Sequence, residues 1–148
     1  MPAKHQDPGL VDGLFQLSFK LQGTLARIAA EHDLSIVQVR LLGILRDREP
    51  AMLQLARYLE LEKSSLSGLV DRAEKRGLVE RVPSPDDGRG SNIRVTARGR
   101  KLSRVIEAEA AAEVAKLVGV LPSSERERLG GLVAQIVAGI AGAPDSRL

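Results

Sequence analysis

Apolar residues recur at helical spacing near both ends of the chain, and this pattern predicts long amphipathic helices there. A first helix is predicted from Pro8, which suits an N-terminal turn, to about His32. Two more are predicted at the other end, one capped by Thr96 and a last one beginning with a capping box of Ser124 and Glu127. The apolar stripe of the last helix comprises Leu129, Leu132, Val133, Ile136, Val137 and Ile140.

Shorter elements are predicted between these long helices. Three residues, Glu60–Glu62, separate the third helix from the fourth, and a loop rich in turn formers joins two β-prone runs. Two short helices followed by a hairpin are typical of a winged helix-turn-helix. The predicted elements are a second helix from the capping box of Ser35 and Gln38 to about Arg46, a third at Leu53–Leu59 after Pro50, a fourth from about Lys63 to Arg76, and strands at Leu78–Val82 and Asn92–Thr96.

The expected fold class is mainly α with a small β-hairpin wing, a winged helix-turn-helix flanked by terminal dimerisation helices. The expected division is an N-terminal dimerisation helix in residues 1–34, a DNA-binding domain in 35–100 and C-terminal dimerisation helices in 101–148. The long apolar stripes exceed what a small winged helix can cover, so a two-fold partner is expected to bury them. The alternative is a monomer in which these helices fold back as a three-helix cap.

The fourth helix presents two different faces. Leu66, Leu69, Val70 and Ala73 recur at i, i+3, i+4 and i+7, and are expected to pack inward. Small residues on the other face would let the helix backbone approach the floor of a DNA major groove, where hydroxyls and cations can bind phosphates or base edges. An ordinary amphipathic surface helix is the alternative. The candidate DNA contacts on this helix are Lys63, Ser64, Ser65, Ser67, Arg72 and Lys75.

The loop of the predicted hairpin places Arg89 between two glycines, an arrangement suited to entering a narrow minor groove. Asp87 can orient its guanidinium. Along the following strand, Ile93 and Val95 are expected to face inward and Arg94 outward, which makes Arg94 a third candidate contact in the hairpin. A solubilising turn is the alternative interpretation.

Composition and charge narrow the function classes. The 148 residues carry a net charge of only +3, but residues 60–104 hold 11 basic and 7 acidic side chains, about +4. Hydrophobic residues make up 43% and aromatic residues 2%, which indicates an aliphatic, mainly helical globular protein, and the absence of cysteine excludes disulfides and thiolate metal sites. No signal peptide or membrane span is predicted, so a cytoplasmic protein without a membrane partner is expected. The basic run comprises Arg89, Arg94, Arg98, Arg100, Lys101 and Arg104.

Two stretches together resemble the MarR family of winged-helix transcriptional regulators. The run DGRGSNIRVTARG matches the family's wing pattern D-x-R-S-x-x-V-x-L-T-x-x-G at Asp87, Arg89, Thr96 and Gly99, although Gly90 stands where serine is usual. Upstream, LQLARYLELEKSSLSGLVDRAEKRGLVER is similar to the family's helix-turn-helix. It departs from the pattern where Gly68 replaces an arginine of the recognition helix and where Glu60 replaces the usual turn glycine.

The resemblance implies a homodimer whose terminal helices interlock and whose two lobes bind a pseudo-palindromic site on double-stranded DNA. It also implies a repressor released by a small, often aromatic or anionic effector that binds between the dimer helices and the DNA-reading lobe. Phe15 and Phe19 are the candidate effector contacts, with simple core packing as the alternative.

No catalytic arrangement is found in the sequence. His5 and His32 have no neighbouring nucleophile or ligand cluster, and His32 is better interpreted as a cation at the C-terminus of the first helix. We therefore expect no enzyme activity, no metal and no cofactor. A second function class is a helical adaptor dimer that binds proteins rather than DNA. DNA binding that weakens steeply with salt would distinguish the two.

Overall fold

The computed structural model describes residues 8–85 and 90–141, and it confirms a mainly helical fold with a two-stranded hairpin. Asp87 and Arg89 lie outside the described residues. The third helix begins one residue before its predicted start. The elements are α1 (Pro8–Glu31), α2 (Ile36–Ile44), α3 (Met52–Leu59), α4 (Lys63–Lys75), β1 (Val79–Pro83), β2 (Ser91–Val95), α5 (Ala97–Val118) and α6 (Ser123–Ala141).

The hairpin is antiparallel, and each of its strands is displaced by one residue from the predicted position. Val79 pairs with Val95 at one end and Pro83 with Ser91 at the other. Thr96 does not continue the second strand, because it caps α5 and its hydroxyl accepts a hydrogen bond from the Gly99 amide at 3.0 Å. The predicted Thr96 cap is thereby confirmed, and the strand ends one residue early.

Capping residues and residues with a left-handed backbone define several helix ends. The capping box of α2 is confirmed, since the Ser35 hydroxyl accepts from the Gln38 amide at 3.2 Å and the Gln38 side chain accepts from the Ser35 amide at 2.9 Å. Among the described residues, three have positive φ and lie one or two positions after the end of a helix, namely Asp33 at 57°, Glu60 at 54° and Gly77 at 72°. Only the last of these is a glycine, the residue that this backbone conformation favours.

The core lies inside the lobe formed by α2, α3, α4 and the hairpin. The inward face predicted for α4 is confirmed, because Leu66, Leu69, Val70 and Ala73 are all buried. Ile28, near the C-terminal end of α1, and Ile106, near the middle of α5, complete this core. Most of α1 therefore lies beyond the lobe, whereas α5 packs on it through its N-terminal half, from Gly99 to Ala110.

The apolar surfaces of α1 and α6 are exposed in the single chain. All 19 residues of α6 are exposed, including Ile136 at 58%, so these helices do not form the compact monomeric cap considered above. The capping box predicted for this helix was wrong: it begins at Ser123, so Ser124 lies inside the first turn, and the Glu125 and Arg126 amides donate to the carbonyl of Pro122 instead.

Candidate nucleic-acid interface

The N-terminal end of α4 is exposed and polar above its buried apolar face. Lys63, Ser64 and Ser65 are exposed, and Ser67 is half-buried. The N-cap residue Glu62 makes no side-chain capping bond, so its carboxylate does not occupy the first backbone N–H groups of the helix. Free N–H groups at the positive end of a helix are suited to binding anions such as phosphate oxygens.

Arg72 lies beside the glycine that departs from the family pattern. A β-carbon built on Gly68 would stand 3.2 Å from the Arg72 guanidinium, so this side chain turns back over the glycine. Lys75, the last residue of the helix, is also exposed. Because Gly68 has no side chain, the Arg72 side chain lies over backbone that a larger residue at position 68 would cover.

Arg81 of the hairpin is hydrogen-bonded to two carboxylates of α4. Its guanidinium donates to Glu74 and to Asp71, each at 2.7 Å, and its amide donates to the other Glu74 oxygen at 3.3 Å. The hydrogen bond to Asp71, with the charges of both carboxylates, raises the pKa of Arg81 above its ordinary value despite partial burial. No local sequence signal pairs Arg81 with Asp71 or Glu74, because the approach of Arg81 depends on the tertiary position of the hairpin.

The hairpin is further held by contacts of the second strand. Arg94, a candidate DNA contact, is half-exposed and pairs with Glu80 on the opposite strand, with its Nε donating at 2.8 Å. The inward positions of Ile93 and Val95 are confirmed by burial. Asn92 is half-exposed, and its side-chain amide donates to the Glu49 carbonyl at 2.9 Å.

The effector candidates on α1 are exposed to solvent in the single chain. Phe15 is 61% exposed and Phe19 72% exposed, so the alternative that they are simple core is wrong for the chain by itself. A cleft of about 230 Å³ lies instead between α2, β2 and α5. Its lining residues are Leu42, Arg46, Val95, Arg100, Ser103, Arg104 and Glu107.

This cleft is basic. Glu107 accepts from Arg46 at 3.1 Å, and Arg100 donates to the Arg46 carbonyl at 3.1 Å. Arg104 makes no hydrogen bond or ion pair within residues 8–85 and 90–141. Three guanidinium groups thus face one carboxylate, which makes the cleft suited to an anionic ligand. Arg100 and Arg104 belong to the basic run of the sequence, whereas Arg46 lies far from that run and no sequence signal links it to them.

Other functional groups are sparse in the described part of the chain. His32, interpreted from the sequence as a cation at the end of α1, binds Glu109 of α5 through its Nε2 at 3.1 Å, and not the α1 carbonyls. Among residues 8–85 and 90–141, no three His, Asp or Glu side chains come together as a metal would require. None of the described helices is long and apolar enough to cross a membrane.

Comparison with known proteins identifies relatives with this architecture. Residues 32–90 match the model of the MarR family. The chain is 30% identical over 76 residues to the HTH-type transcriptional repressor IacR of Pseudomonas putida, a stretch that covers 51% of this chain and 46% of that protein. It is 31% identical over 109 residues to the HTH-type transcriptional regulator PecS of Dickeya dadantii, covering 68% of this chain and 64% of that protein. The chain thus spans less than two thirds of the length of these curated relatives.

A solved structure extends the similarity over almost the whole chain. The crystal structure of NadR in complex with 4-hydroxyphenylacetate superimposes with a TM-score of 0.70 at 26% identity. The superposition covers 92% of this chain and 97% of NadR, and so includes the terminal helices as well as the central lobe.

Proposed function

We propose that the chain is a cytoplasmic transcriptional regulator of the MarR type that binds a pseudo-palindromic DNA site as a homodimer, a proposal supported by its similarity to that family. The observation that carries the proposal is the N-terminal half of α4, where exposed hydroxyls and a lysine surround backbone N–H groups that no side chain caps. A helix held from beneath by four buried apolar residues can present this end to a major groove without bending.

In this proposal the first turn of α4 positions the protein on the phosphates and the next turns contact bases. Lys63, Ser64 and Ser65 bind phosphate oxygens, and Ser67 lies on the side that approaches the groove floor. Arg72 extends over the bare backbone of Gly68 and takes the base contact for which many family members use an arginine at that position. Lys75, near the other end of the helix, adds a phosphate contact.

The hairpin supplies the second element of the interface. Arg89, with Asp87 as its orienting partner, is proposed from the sequence to enter the adjacent minor groove. Arg94 is proposed to contact the backbone from the strand. Its pairing with Glu80 means that this contact costs the release of an existing ion pair, so Arg94 should contribute less than Arg89.

The exposed apolar stripes of α1 and α6 are the proposed dimer surface. Burying them against a second copy removes from water the large side chains that the single chain leaves open, such as Leu14, Ile136 and Ile140. A dimer also places two copies of α4 on one face of the duplex, about one helical turn or 10–10.5 base pairs apart.

We infer that the regulator is a repressor released by a small aromatic anion. NadR binds 4-hydroxyphenylacetate, IacR is a repressor, and the basic cleft beside Arg104 has an unpaired guanidinium for a carboxylate. Phe15 and Phe19 would line this site only if the dimer brings α1 of the partner onto it.

The test of DNA binding uses fluorescence anisotropy with a random duplex at two salt concentrations, followed by sequencing of retained fragments. Binding should weaken about tenfold or more between 50 and 200 mM salt, as the release of several counterions requires. Lys63→Gln should reduce this salt slope by about one unit. Lys116→Gln on α5, whose partner is Glu113, is the matched control and should leave it unchanged. Absence of binding at low salt would favour the protein-binding adaptor.

The effector test is a titration of the DNA complex with 4-hydroxyphenylacetate. Release should require about tenfold more ligand in Arg104→Gln, since a charge-assisted hydrogen bond contributes about 1.5–3 kcal/mol. Lys101→Gln, a neighbour on α5 that does not line the cleft, is the control. Equal sensitivity of parent and Arg104→Gln would remove this cleft as the effector site.

A further inference from the structure

The C-terminal turn of α4 is bonded to the end of α1. Arg76, the C-cap residue, donates from Nη1 to the Asp33 carbonyl at 2.6 Å and from Nη2 to the His32 carbonyl at 3.1 Å. Two parallel bonds from one planar guanidinium fix orientation as well as distance. Recognition helix and terminal helix are thus joined by a rigid contact rather than by apolar packing alone.

The acceptor side of this contact is itself well defined. The Leu34 amide donates to Ala29 and the Asp33 amide to Ala30, which is the pattern of a Schellman motif with Asp33 in the left-handed conformation. Its carbonyls lie at the negative end of α1, where a cation is favourable. The Nε2 of His32 also contacts Glu109 at 3.1 Å, so the turn is tied to α5 as well.

On its other side, the turn after α4 is bonded to the start of α5. The Thr96 hydroxyl donates to the Gly77 carbonyl at 2.5 Å, and the Thr96 amide donates to the Leu78 carbonyl at 3.0 Å. A few residues at the end of α4 therefore contact both helices that extend toward the proposed dimer surface.

We propose that Arg76 is a positioning residue that sets the distance between the two recognition helices of the dimer, and thereby the half-site spacing that the protein selects. The inference rests on the proposed function, because it requires a dimer that binds paired half-sites. The geometry gives a large lever: a 13-residue helix is about 20 Å long. A rotation of about 10° at its C-terminal end moves its N-terminal end by about 3.4 Å, the rise of one base pair.

The first test measures the distance without DNA. The chain contains no cysteine, so a nitroxide attached to Ser64→Cys reports only the two α4 N-termini of a dimer by pulsed electron paramagnetic resonance. We expect one narrow distance for the parent, and a distribution broadened or shifted by about 3 Å or more in Arg76→Gln, following the lever above. Arg40→Gln is the matched control, because Arg40 also donates to a carbonyl at a helix end, that of Tyr58, but within the lobe. An unchanged distribution in Arg76→Gln would overturn the proposal.

The second test measures spacing selectivity on duplexes whose half-sites are moved apart or together by one and two base pairs. The parent should prefer one spacer by about tenfold, and Arg76→Gln should reduce this preference to about threefold or less while binding a single half-site within about twofold of the parent. Arg76→Lys keeps the positive charge but lacks the planar guanidinium that donates both hydrogen bonds. Its spacer preference should therefore lie between those of the parent and Arg76→Gln. An equal loss of affinity at every spacer would show a merely structural role and would contradict the proposal.

The results of these tests distinguish failure of the proposed DNA-binding function from failure of the positioning role of Arg76. A parent that binds no duplex defeats the proposed function, whereas a parent with a sharp spacer preference that Arg76→Gln shares defeats only the positioning role. If Arg76→Gln does not form a folded dimer by circular dichroism and light scattering, Arg76→Lys takes its place. Its spacer profile must then be broader than that of Arg40→Gln, and an identical profile would refute the proposal.

Discussion

Gly99, in the first turn of α5, is packed against the backbone of the residue that precedes β1. A β-carbon at this position would lie 2.0 Å from the Leu78 carbonyl oxygen and 2.9 Å from Cγ2 of Val95. Ordinary contacts of this kind are 3.4 Å or longer. In Gly99→Ala the helix and the hairpin must therefore separate by more than 1 Å, and most of that movement must come from backbone.

The free energy of unfolding should fall by about 2–4 kcal/mol. Forced overpacking costs about 1–3 kcal/mol, and the separation weakens the bond from the Thr96 amide to the same carbonyl, which contributes about 1 kcal/mol. For a chain of this size, each kcal/mol lowers the melting temperature by about 2–4 °C, so the expected loss is about 10 °C. Without the clash, alanine would stabilise a helical glycine by about 0.4–1 kcal/mol.

The assay is thermal unfolding by circular dichroism at one protein concentration, because a dimer's stability depends on concentration. Gly43→Ala in α2 is the matched control, since nothing lies within 4 Å of its β-carbon position. The control should melt slightly above the parent and Gly99→Ala well below it. A Gly99→Ala protein that melts at or above the parent temperature would refute the close contact and the reasoning built on it.

Three other substitutions give independent tests. Glu60→Gly should stabilise the chain by about 0.5–1 kcal/mol, because the left-handed backbone there costs a non-glycine residue about 1–2 kcal/mol. Glu62→Gly is the control and should not stabilise the chain, because the backbone of Glu62 is extended. Equal shifts of the denaturant midpoint in the two variants would contradict this. Ile136→Asp should turn the proposed dimer into monomer by light scattering, since a buried unpaired charge is costly, and an intact dimer would exclude α6 from the interface. Arg89→Ala should lose about 1–3 kcal/mol of DNA binding per half-site by anisotropy; unchanged affinity would remove the wing tip from the interface.

The sequence predicted the elements and the inward faces because these depend on local periodicity. The stripe from Leu66 to Ala73 and the capping box at Ser35 are signals contained in a few consecutive residues, and both are confirmed. Errors arose where two local signals compete. Ser124 and Glu127 have capping-box spacing, but the helix begins one residue earlier, where the Pro122 carbonyl accepts the first bonds.

Contacts between elements could not be predicted in the same way. Arg76 and Asp33 are 43 residues apart, and Arg46 and Glu107 are 61 apart, so no spacing rule pairs them. The sequence showed that Arg94 was basic and outward, but its pairing with Glu80 follows from the hairpin register. For the same reason the sequence points to Phe15 and Phe19 of α1 as effector contacts, whereas the basic cleft that we propose is assembled from three separate elements.

The turn after α4 is held by two kinds of contact, and experiments can separate their effects. Gly99 contacts it through backbone packing, so its substitution should lower stability and weaken binding at every half-site spacing alike. Arg76 contacts it through two hydrogen bonds at a partly exposed position, so its loss should change geometry more than stability. If the positions of the two recognition helices were set by core packing alone, both substitutions would broaden the spacer profile in proportion to their loss of stability. A broad profile in a stable Arg76→Gln protein, beside a narrow one in a destabilised Gly99→Ala protein, is the combination that only the guanidinium contact explains.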